Sequence, residues 1–152
     1  MQRMRQVCSF VLGDLVFGVE VMKVQEVLRS QPMTRVPLAS SSVRGLINLR
    51  GQIVTAVDVR ARFGLPPLSG DREPMNVVLA TSDGVVSLLV DEIGDVLELS
   101  EADFERPPAT LPAVFRDVVV GVYKLERSLL LMLDVERIVT PEPSPRAVGN
   151  AA

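Results

Sequence analysis

The chain has 152 residues, of which 47% are apolar and 23% are charged, a balance typical of one well-packed globular module. Histidine is absent, which excludes a Ser-His-Asp or Cys-His catalytic site and an imidazole metal site within this chain. The net charge of −3 argues against a general affinity for nucleic acid, because phosphate binding needs a concentrated positive surface.

Eight short runs rich in Val, Leu and Ile, separated by turn residues, predict a mostly-β fold. The runs lie at 6–12, 16–21, 45–49, 52–57, 76–81, 85–90, 118–124 and 128–133. Helix signals are confined to two short stretches, 59–63 after Asp58 and 135–138 after Asp134. This number of short strands is typical of barrels or a sandwich.

The stretch between the second and third runs has a different spacing. Apolar residues at 21, 24, 27 and 28 predict a helical turn that leads into a strand. On this pattern Val24 and Val27 are expected to pack in the core, and Glu26 is expected to be exposed.

Proline marks the interruptions of the chain. Segment 66–74 divides it near the middle, and 106–112 makes a second break. Segment 141–152 has too little apolar content to pack, so we predict a mobile C-terminal tail.

The sequence contains an internal repeat. A shift of 76 positions places 45–59 on 121–135 without a gap, and a shift of 69 places 14–28 on 83–97. Both copies therefore read as strand, turn, strand, aspartate and short helix at the same relative positions.

The repeat predicts how the domain is organised. We expect a single domain over 6–139 with two β-barrel lobes, at about 15–66 and 75–139. Strand 6–12 is the candidate for exchange between the lobes. Each lobe is near the lower size limit for folding alone, so the two should pack against one another.

Paired carboxylates raise the possibility of an enzyme. Asp58 with Asp134, or Asp91 with Glu92, could act as general acid and base. Asp58 and Asp134, however, occupy equivalent positions before short helices, which favours helix caps for both. Asp91 and Glu92 are interpreted as a solvated turn. We therefore predict no catalytic residues, and the absence of a cysteine pair or ligand cluster predicts no metal and no cofactor.

Segment 48–51 departs from the repeat. It reads Asn-Leu-Arg-Gly, whereas the matching 124–127 reads Lys-Leu-Glu-Arg, so Arg50 has Glu126 as its counterpart. Gly51 is expected in a hairpin turn because glycine readily adopts positive φ. Arg50 is not required by the turn, and it is either a solvated arginine or an anchor for a partner's acceptors.

The composition disfavours two other classes of binding protein. A small nucleic-acid-binding barrel could use the arginines at 44, 50, 60 and 62, but these lack neighbouring aromatic side chains for base stacking. A proline-peptide groove is disfavoured because the chain has no Trp and one Tyr.

The longest apolar runs fall far below the roughly 18 residues of a membrane helix, so we expect a soluble cytoplasmic protein. The lone Cys8 is expected to be a buried thiol.

Several segments resemble the CheW family of bacterial chemosensory coupling proteins. The matching stretches are 17–27 (FGVEVMKVQEV), 34–37 (TRVP), 43–60, 89–93 and 129–138. The most specific is Gly-x-x-Asn-Leu-Arg-Gly at 45–51, and the resemblance covers about 6–139.

The resemblance implies a fold and a function. The fold is two SH3-like five-stranded β-barrels that exchange strands. The function is that of a non-catalytic cytoplasmic scaffold joining chemoreceptors (methyl-accepting chemotaxis proteins) to the regulatory domain of a CheA-type histidine kinase, with other CheW-like domains as further candidate partners. The residues that it places at receptor or kinase contacts are Val24, Glu26, Gly45, Arg50, Ile93 and Val96. Ser87 stands where the family often has glycine.

Overall fold

A computed structural model describes residues 3–37 and 41–139. The strands are β1 Met4–Leu12, β2 Leu15–Glu20, β3 Val24–Leu28, β4 Val43–Leu49, β5 Gln52–Asp58, β6 Met75–Thr81, β7 Gly84–Val90, β8 Glu92–Ser100, β9 Phe104–Glu105, β10 Val119–Lys124 and β11 Leu129–Leu133. The helices are α1 Val59–Arg62, α2 Ala113–Arg116 and α3 Val135–Ile138, with 3-10 turns at Val21–Lys23 and Glu101–Asp103. The predicted mostly-β class with few short helices is confirmed, and the predicted tail at 141–152 lies outside the described residues. Within the described ranges no helix has the length and hydropathy needed to cross a membrane.

The strands form two sheets that do not follow the two halves of the sequence. Sheet 1 has the order β8-β1-β2-β11-β10-β9, and sheet 2 has the order β3-β6-β7-β5-β4. The N-terminal hairpin β1–β2 thus joins the strands of the second repeat, and the hairpin β6–β7 joins those of the first. The sequence-based lobes 15–66 and 75–139 divide the chain differently, because β2 and the β6–β7 hairpin lie in the opposite sheets. Sheet 1 has six strands instead of the expected five, because β9 adds to the free edge of β10.

The strand registers follow the internal repeat. In sheet 1, Phe17 of β2 pairs in parallel with Leu131 of β11. In sheet 2, Val86 of β7 pairs in parallel with Thr55 of β5. Val86 is Phe17 shifted by 69, and Leu131 is Thr55 shifted by 76, so the same pairing occurs twice. The two halves therefore share one topology, and each completes its sheet with the hairpin of the other.

The main hydrophobic core lies between the sheets. Phe10 and Phe17 contribute from sheet 1, and Val77 and Leu88 contribute from sheet 2, all of them fully buried. The rings of Phe17 and Phe63 stack with their centroids 5.3 Å apart. Burying a side chain of this size stabilises the fold by roughly 1.5–3 kcal/mol, so this shared core makes the two sheets mutually dependent.

A buried ion pair also ties the sheets together. Asp91 lies at the crossover from β7 to β8, and both of its oxygens accept from Arg60 of α1, at 2.7 and 2.6 Å. The same carboxylate accepts from the N–H of Gly13 in the β1–β2 turn at 2.7 Å. The interpretation of Asp91 as a solvated turn residue is therefore wrong: the residue is 5% exposed, because Arg60 satisfies its charge.

Candidate functional site

An apolar groove runs between the two sheets. Its walls are β3, the edge strand of sheet 2, and β8, the edge strand of sheet 1. It has a volume of about 250 Å³, and its lining includes Val24, Glu26, Val27, Ile93, Gly94 and Val96. Four of the six residues that the family resemblance implicates in partner contacts thus lie together. Cys8 contributes to the floor, where burial raises the pKa of its thiol.

Two β-bulges shape the walls of the groove. In a regular strand, residues three apart face opposite sides of the sheet. The register shifts by one residue between Val24 and Glu26 on β3, and again between Ile93 and Val96 on β8. The extra residue in each strand brings Val24 and Val27 to the groove on one side, and Ile93 and Val96 on the other.

The walls are related by the repeat. Val24 and Val27 shifted by 69 positions are Ile93 and Val96, and both bulges occur at equivalent places. Val27 and Val96 are among the exposed large apolar residues of the protein. Exposed apolar surface in a groove is typical of a binding site for another protein.

An ion pair lies at the rim of the groove. The guanidinium of Arg50, in the β4–β5 turn, donates to the carboxylate of Glu26 on β3. The Glu26 side chain is only 27% exposed, whereas Arg50 is 72% exposed. The expectation of an exposed Glu26 was therefore too simple. Arg50 keeps most of its donor surface open to solvent beside the groove.

The β4–β5 turn holds Arg50 in an uncommon conformation. Arg50 has φ of 51°, the one positive φ among the described non-glycine residues, and Gly51 has φ of 87°. Asn48 stabilises the turn by accepting from the N–H of Gly51 at 2.9 Å. A side chain in the left-handed region costs about 1–2 kcal/mol relative to the right-handed one. The turn would be better served by glycine or asparagine at position 50, so its arginine calls for a reason outside the fold.

Gly45 lies away from the groove and is buried in β4. A Cβ atom at this position would approach the carbonyl oxygen of Thr34 to 2.5 Å. Thr34 forms an isolated bridge with Leu46 next to it. The structure therefore gives Gly45 a packing role, which is to let the segment around Thr34 lie directly on β4.

The two aspartates before the short helices have cap geometry. The carboxylate of Asp58 accepts from the N–H of Ala61 at 3.2 Å at the start of α1. The carboxylate of Asp134 accepts from the N–H of Glu136 at 2.9 Å at the start of α3. Both carboxylates thus satisfy backbone donors, which supports a structural role for the pair.

The arginines of the nucleic-acid alternative do not form an open basic patch. Arg44 pairs with Asp58 at 2.6 Å, Arg50 with Glu26, and Arg60 with Asp91. Arg62 is 8% exposed. Nearby carboxylates offset the charge that would be needed to attract phosphates.

Several residues that line the groove were not predicted as binding candidates, and Val27 and Gly94 are two of them. Val27 was assigned to the core because its spacing from Val24 looks helical, although a bulged strand produces the same spacing. The repeat would have identified it, because Val27 is the counterpart of Val96. Gly94 gave no comparable signal.

An apolar groove with a charged rim, built on two interlocked sheets, defines a protein-binding module. Within the described residues no group of His, Cys, Asp and Glu is arranged to hold a metal ion. The family model described as CheW-like domain matches residues 6–142, and the chain belongs to this family. The resemblance seen in the sequence is confirmed.

Individual relatives agree with this assignment. A chemotaxis protein CheW of Rhizobium meliloti is 30% identical over 138 residues, covering 91% of this chain and 89% of that protein. A chemotaxis protein CheW of Bacillus subtilis is 29% identical over 143 residues, covering 94% and 92%. The crystal structure of the scaffolding protein TtCheW from Thermoanaerobacter tengcongensis has the same fold, with a TM-score of 0.80 at 21% identity over 90% of this chain and 92% of that one.

Proposed function

We propose that this protein is a non-catalytic adaptor that couples chemoreceptor tips to the regulatory domain of a CheA-type histidine kinase in a bacterial chemosensory array. The observation that carries the proposal is the groove, where Val24 and Val27 face Ile93 and Val96 beside the Glu26–Arg50 pair. Membership of the CheW-like family and the names of the relatives support the same function.

The groove suits an apolar stripe on a helical segment of a partner. Its apolar walls would bury side chains spaced at i, i+3 and i+4, which is the helix-in-groove mode of recognition. Arg50 at the rim would donate to carboxylates or carbonyls of that partner, and such charge-assisted bonds give orientation and register. Val96 and Arg50 are thus the apolar and polar contacts that we expect to contribute most.

An adaptor needs two surfaces that can be occupied at once. The groove and its rim provide one, and we infer that the second lies on one of the two sheets outside the groove. The hydrophobic core shared by the two sheets would hold the two binding surfaces in a fixed relative geometry. In a cell we expect the protein in the cytoplasm, held at receptor arrays by its partners and by neighbouring CheW-like domains.

Binding to each partner separately tests the proposal. A receptor tip fragment and the kinase regulatory domain are each titrated into the protein by calorimetry. The proposal predicts saturable binding to both at moderate salt, and binding to neither would refute it. A heparin column at the same salt tests the nucleic-acid alternative, which predicts retention whereas the adaptor predicts none.

A further inference from the structure

One wall of the groove is held by a buried hydroxyl group. Ser9 of β1 lies opposite the bulge of β8, where Cys8 pairs with Val96 and Phe10 pairs with Ile93. Ser9 is 5% exposed, and its hydroxyl donates to the carbonyl oxygen of Asp95 at 2.7 Å. This bond reaches Asp95 within the bulge, where the regular ladder between the strands is interrupted.

Gly94 makes this contact possible. A Cβ atom at position 94 would lie 2.5 Å from the hydroxyl oxygen of Ser9, closer than a side chain tolerates. Any other residue at this position would displace the hydroxyl or the bulge. Ser9 and Gly94 are therefore complementary, and Gly94 itself lines the groove.

Among the residues that the structure describes, none makes an equivalent side-chain bond to the bulge of the other wall. The bulge of β3 lies opposite Val78 of β6, which is the counterpart of Ser9 in the repeat and has no hydroxyl. On that side the Glu26–Arg50 ion pair connects the strand to a surface turn. The buried hydrogen bond beneath the bulge is thus a feature of the β8 wall, whereas the β3 wall has a solvent-accessible ion pair at its rim.

We propose that Ser9 is a positioning residue for the binding groove. Its hydroxyl fixes the bulge at Gly94 and Asp95, and the bulge brings Ile93 and Val96 to the same face. Ser9 itself is buried beneath the wall and acts on a partner only through β8. This inference rests on the proposed function for its effect on binding, whereas its effect on β8 is independent of any partner.

A pair of isosteric substitutions isolates the hydroxyl. Ser9→Thr keeps the donor and Ser9→Val replaces it by a methyl group of nearly the same shape. Hydrogen exchange is measured by mass spectrometry on β8 and, as an internal reference, on β10 and β11. We expect exchange in β8 to be about tenfold faster in Ser9→Val than in Ser9→Thr, as for loss of one buried hydrogen bond, with the reference strands unchanged.

Affinity supplies the second readout. For whichever partner occupies the groove, Ser9→Val should bind at least fivefold more weakly than Ser9→Thr, and Gly94→Ala should be impaired in the same way. Equal exchange in β8 for the Thr and Val variants would overturn the positioning role. If the larger side chains prevent folding, Ser9→Ala against the unmodified protein makes the same comparison. Absence of partner binding by the unmodified protein would refute the proposed function, while the exchange data would still decide the role of Ser9.

Discussion

Arg50 and Glu26 join the β4–β5 turn to the β3 wall of the groove by an ion pair at the protein surface. The pair is solvent-accessible, and exposed ion pairs contribute only about 0–1 kcal/mol to stability. Arg50 also occupies a left-handed conformation that glycine would adopt at lower cost. Its side chain is thus better explained by binding than by folding.

Substitution of Arg50 should separate binding from stability. Arg50→Ala is expected to change the free energy of unfolding by no more than about 0.5 kcal/mol, as is usual for an exposed turn position. Arg50→Gly should be at least as stable as the unmodified protein, because it relieves the backbone at φ of 51°. Both should lose about 2–5 kcal/mol of binding free energy for the partner that contacts the rim. The melting temperature measures the effect on stability, and calorimetry measures the effect on affinity. Full affinity of both variants for both partners would show that Arg50 is an ordinary solvated residue.

The apolar wall can be tested with a matched control. Val96 is 59% exposed in the groove, and Leu129 is 55% exposed at the start of β11, outside it. Val96→Asp should weaken binding of one partner at least tenfold, because it places a charge on a surface that becomes buried. Leu129→Asp should leave that same affinity within about twofold, since surface substitutions outside an interface usually have small effects. An equal loss of affinity in the two variants would show that the added negative charge, and not the position in the groove, weakens binding.

The two cap residues should affect stability and leave binding intact. Asp58→Ala and Asp134→Ala are each expected to lower the free energy of unfolding by about 0.5–2 kcal/mol, the usual contribution of an N-cap. Asp58 also pairs with Arg44, and Asp134 also pairs with Arg137, so the two losses should be similar. Urea unfolding measures the change. A variant that kept its stability and lost partner binding would show that its aspartate belongs to an interface.

The Arg60–Asp91 pair should make stability depend on pH. The hydrogen bonds from Arg60 hold the pKa of Asp91 below its ordinary value of 3.8. A carboxylate with a lowered pKa in the folded state stabilises the protein above its unfolded pKa, and the effect is lost as the pH falls through the folded pKa. The contribution of this ion pair to the free energy of unfolding should therefore be constant near neutral pH and should decrease below about pH 4.

Asp91→Asn tests this linkage. At pH 7 the variant should be less stable by about 3 kcal/mol, because the charge of the largely buried Arg60 loses its partner. Below pH 4 the difference between the two proteins should shrink. Urea unfolding at pH 7, 4 and 3 gives the comparison, and a constant difference across this range would contradict the assigned titration.

Local features of the fold were predictable from the sequence. Turn residues and short apolar runs marked most strands, and the position of Asp58 before 59–63 predicted a short capped helix. The repeat predicted two similar halves, because the hydrophobic pattern alone preserves the register of 45–59 on 121–135. Each of these features depends on residues close together in the chain.

Features that depend on distant residues were missed. Which sheet a hairpin joins is decided by pairings such as Phe17 with Leu131, and neither local sequence indicates that partner. Asp91 looked solvated because Arg60, which satisfies it, lies far away in the chain. The predicted helical turn leading into a strand is present over 21–28, but Val27 was wrongly assigned to the core, because a bulge and a helix both bring residues three apart to one face.

Assembly of the three components tests the central claim most directly. The kinase regulatory domain, the receptor tip fragment and this protein are mixed at equal concentrations and analysed by size-exclusion chromatography with light scattering. The account predicts one complex containing all three, which is absent without this protein and does not form with Val96→Asp. Mutually exclusive binding of the two partners, or a complex of the partners that forms equally well without this protein, would contradict it.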